Sequence, residues 1–202
     1  MAALSIRFCD EFDDGVGWIV DGEFMERCSH ALVSAGRVWL IDPLDGDGVE
    51  ERVRAAGEPV GVIQLLDRHN RDCRALAQGF GVPHYELPSG PIAGAPFEFP
   101  VVRDAWRWKE VALWWPEPRV LVCADAIGTA RYFRAGDERI AVHPLLRPLP
   151  PRRQLGSLQP ETVLCGHGEG VLSGATPLFK EALSTARRRF LPALASAVRV
   201  RR

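Results

Sequence analysis

The sequence has no CxxC pair, and its five cysteines are odd in number and widely scattered. That excludes a disulfide framework, zinc ribbons and thioredoxin-type motifs, and points to a reducing, cytoplasmic setting. No apolar run approaches the roughly 18 residues that a membrane span needs. The opening MAALSIRFCDEFDDG lacks a basic segment followed by a long apolar stretch, so no signal peptide is expected. Neither sign of charge is in excess: 25 basic against 26 acidic residues give a net charge of −1. A near-neutral chain has no global attraction to nucleic acid or to a membrane surface. The expected partner is therefore a small molecule or another protein. Basic residues gather only locally, at Arg152 and Arg153, at Arg187 to Arg189 and from Val198 to Arg202. Such runs read as a solvated helix face or a tail. There is no GxxxxGK[ST] and no GxSxG. DPLDGDG is not an EF-hand, because setting Gly48 as the loop glycine puts Pro43 first and Arg54 last.

What is present is apolar patterning. The chain has 202 residues, 47% of them hydrophobic, enough for one sizeable core and a single domain over 1–202. LSIRF, VGWIV, HALVS and RVWLID read as strands, the last two joined by Ala35-Gly36, a hairpin signal. Val49, Val53 and Ala56 lie at helical spacing in a segment that stops at Gly57. PVGVIQLL has the β-branched character of a buried strand, and NRDCRALAQGFG reads as a short helix. KEVALWWP, RVLVCAD and ETVLCG continue the strands, with 126–160 irregular and proline-rich between the last two. PLFKEALSTARRRFLPALASAVR is a long helix that Pro192 should kink or break. GRVWLIDPL and PRVLVCADAI echo each other, each an Arg-Val opening to a strand that ends in Asp. The pattern gives an α+β fold of two packed sheets with helices outside.

Four ligand-capable groups follow apolar strands: Asp42 in LIDP, the cluster in LLDRHNRDC, Asp125 in CADA and His167 in CGHGEG. Strand ends are rigid, and the loops leaving them converge at one edge of a sandwich. Taken singly, an Asp there most often caps the next turn. The glycines flanking His167 let the backbone turn sharply and expose the imidazole. Of Trp106, Trp108, Trp114 and Trp115, alternate members are expected in the core, with one face free to line a pocket.

In this order the motifs resemble the metallo-β-lactamase superfamily, over about Ala31 to Arg188. The resemblance implies a four-layer αβ/βα sandwich with a di-metal site at one edge. Asp42 matches the first signature, Asp125 the fourth and His167 the Gly-His of the fifth. The second, His-x-His-x-Asp-His, registers on Asp72, which sets Cys73 at the last histidine and Arg68 and Asn70 at the first two. Trp106 stands where the third signature has its histidine. A shifted register instead puts Asp67 and His69 at the two histidine positions and Asp72 at the last.

The departures carry the functional expectation. A fixed guanidinium repels a divalent cation, so Arg68, Asn70 and Trp106 in place of three histidines abolish the first metal site. The expected function is a binding-only, non-catalytic protein that has lost two-metal chemistry. The alternative is a mononuclear metal hydrolase acting on an ester, thioester or phosphoester. There, Asp72, Cys73, Asp125 and His167 hold one ion, best zinc, with Asp42 bracing the ligands and Arg71 and Arg74 favouring the Cys73 thiolate. Asp125, His167 and Cys73 are then the catalytic candidates, with His69 beside them as a ligand-replacing residue; a weaker thiol-chemistry reading makes Cys73 the nucleophile and His69 or His167 its base. Against the metal stands a plain alternative, in which Asp72 caps a helix, Cys73 is a small buried thiol, and Arg68 or Arg71 pairs with Asp125 in place of an ion.

Overall fold

A computed structural model describes residues 4–69 and 71–200. The chain opens with β1 (Ile6–Phe12), β2 (Gly15–Val20), β3 (Cys28–Ser34) and β4 (Arg37–Ile41), followed by α1 (Val49–Ala56), β5 (Glu58–Gln64), α2 (Cys73–Phe80) and β6 (His84–Glu86). These six strands form one sheet in sequence order, antiparallel up to β4 and parallel from β4 through β6. The β3–β4 turn is left-handed at both Ala35 (φ 51°) and Gly36 (φ 74°), the conformation that suits a tight hairpin.

The second part supplies β7 (Val101–Ala105), β8 (Trp108–Val111), β9 (Leu113–Trp115), β10 (Val120–Cys123), β11 (Ile127–Gly128), β12 (Ala141–Val142), α3 (Arg152–Leu155), β13 (Thr162–Cys165), α4 (Ala175–Thr185) and α5 (Phe190–Val200). Here β9, β10 and β13 form a three-stranded sheet in which β10 and β13 run parallel. The irregular span 126–160 holds the β11–β12 pair, a 3-10 turn at Pro144–Leu146 and α3. It is tied by a buried ion pair, Arg147 Nη1 to Glu138 Oε1 at 3.0 Å and Nη2 to Oε2 at 2.6 Å.

Side-chain alternation builds the layers. Val38 and Leu40 of β4 pack with Val49, Val53, Cys73 and Ala77 of the first two helices, while Trp39 and Ile41 face the other way. They meet Leu113, Trp115, Val120, Val122 and Leu164 of the second sheet. Leu121 and Cys123 point outward from β10 onto Ala175, Phe179, Ala182 and Leu183. Helix rests on sheet, sheet on sheet, and sheet on helix. Period two in the strands and period 3.6 in the helices produce that stacking directly. At the C-terminal end the helix is indeed divided, but ahead of Pro192. Pro192 lies in the first turn of α5, where its missing N–H has no helical partner to lose.

Candidate functional site

Parallel pairing sets the site. Asp42 follows β4, the segment Leu65 to His69 follows β5, Asp125 follows β10 and His167 follows β13, so parallel partners release their ends at the same edge. The four side chains meet there, all buried. His69 Nδ1 lies 2.9 Å from Asp42 Oδ2, and Asp42 Oδ1 accepts the Leu65 N–H. On its other side, His69 Nε2 is 3.0 Å from Asp125 Oδ1. His167 Nδ1 donates to the Met25 carbonyl at 2.7 Å, and His167 Nε2 is 3.1 Å from that same Asp125 oxygen. Arg68 Nη2 donates to Asp125 Oδ2 at 3.0 Å, with its guanidinium 4.1 Å above the Trp108 ring.

The protons decide what this arrangement can hold. Each imidazole gives its Nδ1 hydrogen to an oxygen, so when neutral it presents a bare Nε2 lone pair. Both lone pairs then face one buried carboxylate oxygen, Oδ1 of Asp125, which accepts no aligned hydrogen bond. Three electron-rich atoms turned on one another call for positive charge between them, supplied either by a proton that an imidazole donates to Asp125 Oδ1 or by a bound cation. The ligand atoms of His69, Asp125 and His167 lie within 4.8 Å of one another. The two separations to Asp125 Oδ1, 3.0 and 3.1 Å, match those of donors about 2.1 Å from one ion and roughly 90° apart. Asp42 behind His69 is the carboxylate–histidine pairing that orients such ligands. Burial works to raise the Asp125 carboxyl, but His167 and His69 outweigh it and hold it far below the carboxylate range. Burial and Arg71 work to lower the His69 imidazole, while Asp42 and Asp125 outweigh them and raise it.

A surrounding set of residues holds the centre in place. Glu110, fully buried, accepts the Asp125 and Ala126 N–H groups on Oε1 and the Trp108 indole on Oε2. Burial first, then the Asp125 charge, push its carboxyl up to about 7. Arg71 reaches the carbonyls of Cys28, Asp42 and Gly166, tying three strand ends together. From the 126–160 span, Tyr132 and Phe133 pack on His167, and Phe133 also on His143.

Comparison of the fold finds metallo-β-lactamases. One from Erythrobacter litoralis superposes with a TM-score of 0.59 at 11% identity, over 93% of this chain and 95% of its own. The DIM-1 metallo-β-lactamase gives 0.56 at 12%, over 92% and 100%. This chain has the metallo-β-lactamase fold. A chemotaxis sensor, ODP, solved as its peroxy diiron species, is also similar, with 0.54 at 13% over 90% and 94%. No family model and no curated protein matches the sequence.

Within the metallo-β-lactamase fold the expected residues divide. Asp42, Asp125 and His167 come together, and His69 joins them as a direct neighbour of Asp125. Asp72 and Cys73 do not join them. Asp72 stands at the N-cap position of α2, but its Oδ2 accepts the Asp45 N–H rather than a helix amide. Cys73 sits in the apolar layer beneath α2, and burial pushes its thiol up, against the expected thiolate. Asp67 turns to the Lys109 N–H. Trp106 is 90% exposed on the β7–β8 turn, far from standing in for a ligand. Asn70 lies outside the described residues. Arg68, and not Arg71, pairs with Asp125. His167 is not displayed to solvent but buried, at 3% exposure. Its flanking glycines serve close approach instead: a Cβ on Gly166 would meet the Ala124 carbonyl at 2.5 Å, and one on Gly168 (φ 86°) the Ala130 nitrogen at 2.4 Å. Glu110 and His143 escaped the sequence reading; the one available signal was a lone Glu inside the apolar run EVALWW.

Proposed function

We propose that this chain is a mononuclear metal-dependent hydrolase, holding one divalent cation on His69, Asp125 and His167. The observation that carries this is the convergence of two bare Nε2 atoms on Asp125 Oδ1, each imidazole fixed from behind. Two imidazoles and one carboxylate suit zinc among the common divalent ions. A cation there supplies Lewis acidity, for polarising a carbonyl or phosphoryl oxygen and activating water. The chain's own residues do the rest. Asp42 and the Met25 carbonyl select the tautomers that leave Nε2 free. Glu110 fixes the backbone that aims Asp125. Arg68, with two-fifths of its side chain exposed, neutralises Asp125 Oδ2 and offers its guanidinium to the negative charge of a substrate. Esters, thioesters and phosphoesters carrying an acidic group are the substrate class this favours.

One observation favours a second reading. Arg68 sets a fixed positive charge on the second oxygen of Asp125, as a binding-only protein without two-metal chemistry would have it. Metal analysis of protein purified without chelator, with an ester, thioester and phosphoester panel, separates the two. We expect Asp125→Ala to lose about one equivalent of metal together with turnover. Metal retained in full by Asp125→Ala, or no turnover on any of the three classes with the metal in place, decides against the hydrolase.

A further inference from the structure

A second cluster of metal-ligating side chains lies across the first three strands. Cys9 and Asp10 belong to β1, Cys28 and His30 to β3, and Gly17 of β2 pairs with both Cys9 and His30. A Cβ on Gly17 would lie 2.9 Å from His30 Cδ2 and 3.1 Å from Asp10 Cβ. The glycine therefore leaves the space in which side chains of two non-adjacent strands meet. Asp10 has φ 50°, in the stretch where the β1–β2 register slips, so two consecutive residues reach the same cluster.

The donor atoms are spaced as ligands. Cys9 Sγ and Cys28 Sγ are 3.7 Å apart, Cys28 Sγ is 3.6 Å from His30 Nε2 and 3.8 Å from Asp10 Oδ2, and His30 Nε2 is 3.1 Å from Asp10 Oδ2. Ligand atoms of Cys9, Asp10 and Cys28 all lie within 4.8 Å of one another, and His30 closes on the Asp10–Cys28 edge. For tetrahedral zinc, with Zn–S about 2.3 Å and Zn–N about 2.05 Å, sulfur–sulfur and sulfur–nitrogen separations come to about 3.8 and 3.6 Å. All four residues are at most 8% exposed. The other Asp10 oxygen is taken by the Gly170 N–H, which aims Oδ2 at the cluster.

A disulfide fits less well. With β2 between them, β1 and β3 stand about two strand spacings apart, roughly 9.5 Å, beyond the roughly 7 Å Cα separation that a disulfide bridges. An ion with an arm to each sulfur spans the difference. We propose that Cys9, Asp10 and Cys28 bind one borderline-soft divalent cation, zinc by preference, with His30 turning in from the Asp10–Cys28 edge as the fourth ligand, at a site separate from the His69–Asp125–His167 centre. Binding releases the two thiol protons to solvent and changes no oxidation state. Two thiolates and a carboxylate leave one negative charge in excess, and Arg71, bonded to the Cys28 carbonyl, lies close enough to balance it. The site is structural. Asp10 holds Gly170, Cys28 N–H donates to Gly166, and Gly168 N–H to Glu26, so this corner carries the loop that presents His167.

Cobalt distinguishes the two centres, since only this one contains sulfur. The full chain, stripped and reloaded with cobalt(II), should show a thiolate-to-cobalt charge-transfer band in the near ultraviolet. The band should persist in Asp125→Ala and vanish in Cys9→Ser/Cys28→Ser. Gly17→Ala, which keeps every donor but fills the space, should weaken cobalt binding by about tenfold or more. No band at saturating cobalt, a band that survives loss of both thiols, or a Cys9–Cys28 disulfide found by mass spectrometry in reduced preparations would overturn the proposal. If the double variant does not fold, alkylation of the unaltered protein in mild urea replaces it. Zinc should then protect Cys9 and Cys28, and equal labelling with and without zinc counts against the site.

Discussion

Arg68 and Asp125 form a charged hydrogen bond of 3.0 Å, and the guanidinium that makes it sits 4.1 Å over the Trp108 ring. A fixed positive charge thus stands on one oxygen of the carboxylate whose other oxygen faces two imidazoles. The relationship divides Asp125 between a permanent cation and a place for a removable one.

Arg68→His tests that division directly. Removing the guanidinium frees Asp125 Oδ2 and adds a neutral nitrogen ligand beside it. Zinc affinity, measured by competition with a chromophoric chelator, should rise by about tenfold or more, or a further equivalent should bind. Unchanged affinity and stoichiometry would mean that Arg68 does not substitute for an ion.

Asp42 reaches the centre through His69, and replacing its charge should read as a tuning effect. Asp42→Asn keeps the oxygen that accepts the Leu65 N–H but replaces the charged acceptor behind His69 Nδ1. Outer-shell changes of this kind cost roughly 10–100-fold in metal affinity. A wild-type affinity in Asp42→Asn would sever the link between Asp42 and the metal.

How much of this was legible follows from how local each feature is. Apolar strands that end in Asp42, Asp125 and Gly166-His167 announce themselves, because alternation and strand termini are encoded within a few residues. The echo between the Asp42 and Asp125 segments has a structural counterpart, since both aspartates end parallel strands and both flank His69. The cluster between them leaves two registers open in the sequence, and the one that gives His69 a ligand position agrees with its place beside Asp125. Anchoring on Asp72 put Arg68 and Asn70 at the ligand positions, whereas the chain turns at Arg71 (φ 27°) and sends His69 inward. The arginine neighbours of Cys73 favour a thiolate, but burial in the sheet–helix layer outweighs them and pushes the thiol up. Trp106 lies in a two-residue hairpin turn, and nothing in its own segment distinguishes that from a ligand loop. Glu110 and the Cys9–Cys28 pair acquire meaning only from contacts between elements, which no local pattern carries.

Gly168 offers a test of the backbone that presents His167. Its φ of 86° is a region that side-chain-bearing residues avoid, and an added Cβ would press on Ala130 N and Thr129 Oγ1 at 2.4 and 2.3 Å. Gly168→Ala should destabilise the protein by about 1–3 kcal/mol, from strain alone, and weaken metal binding by displacing the loop. Denaturant unfolding with and without zinc measures both. A variant as stable as the parent, with undiminished metal affinity, would show that the loop tolerates another conformation.

His143 makes the protein sensitive to acid. Its ring is enclosed by Trp108, Tyr132 and Phe133, and its Nδ1 accepts the Leu145 N–H at the start of the 3-10 turn. Burial lowers its pKa from 6.5 to about 4, partly opposed by the Asp125 charge. The unfolded chain therefore binds a proton across that window while the folded chain does not, and stability rises with pH there. Equivalently, stability present above the unfolded value is lost progressively as the pH falls toward the folded one. His143→Asn keeps an acceptor for the Leu145 N–H but cannot titrate. Unfolding by urea at a series of pH values across the window should show a shallower acid loss in the variant than in the parent. Parallel curves would mean that His143 takes up its proton without disturbing the ring packing beside His167.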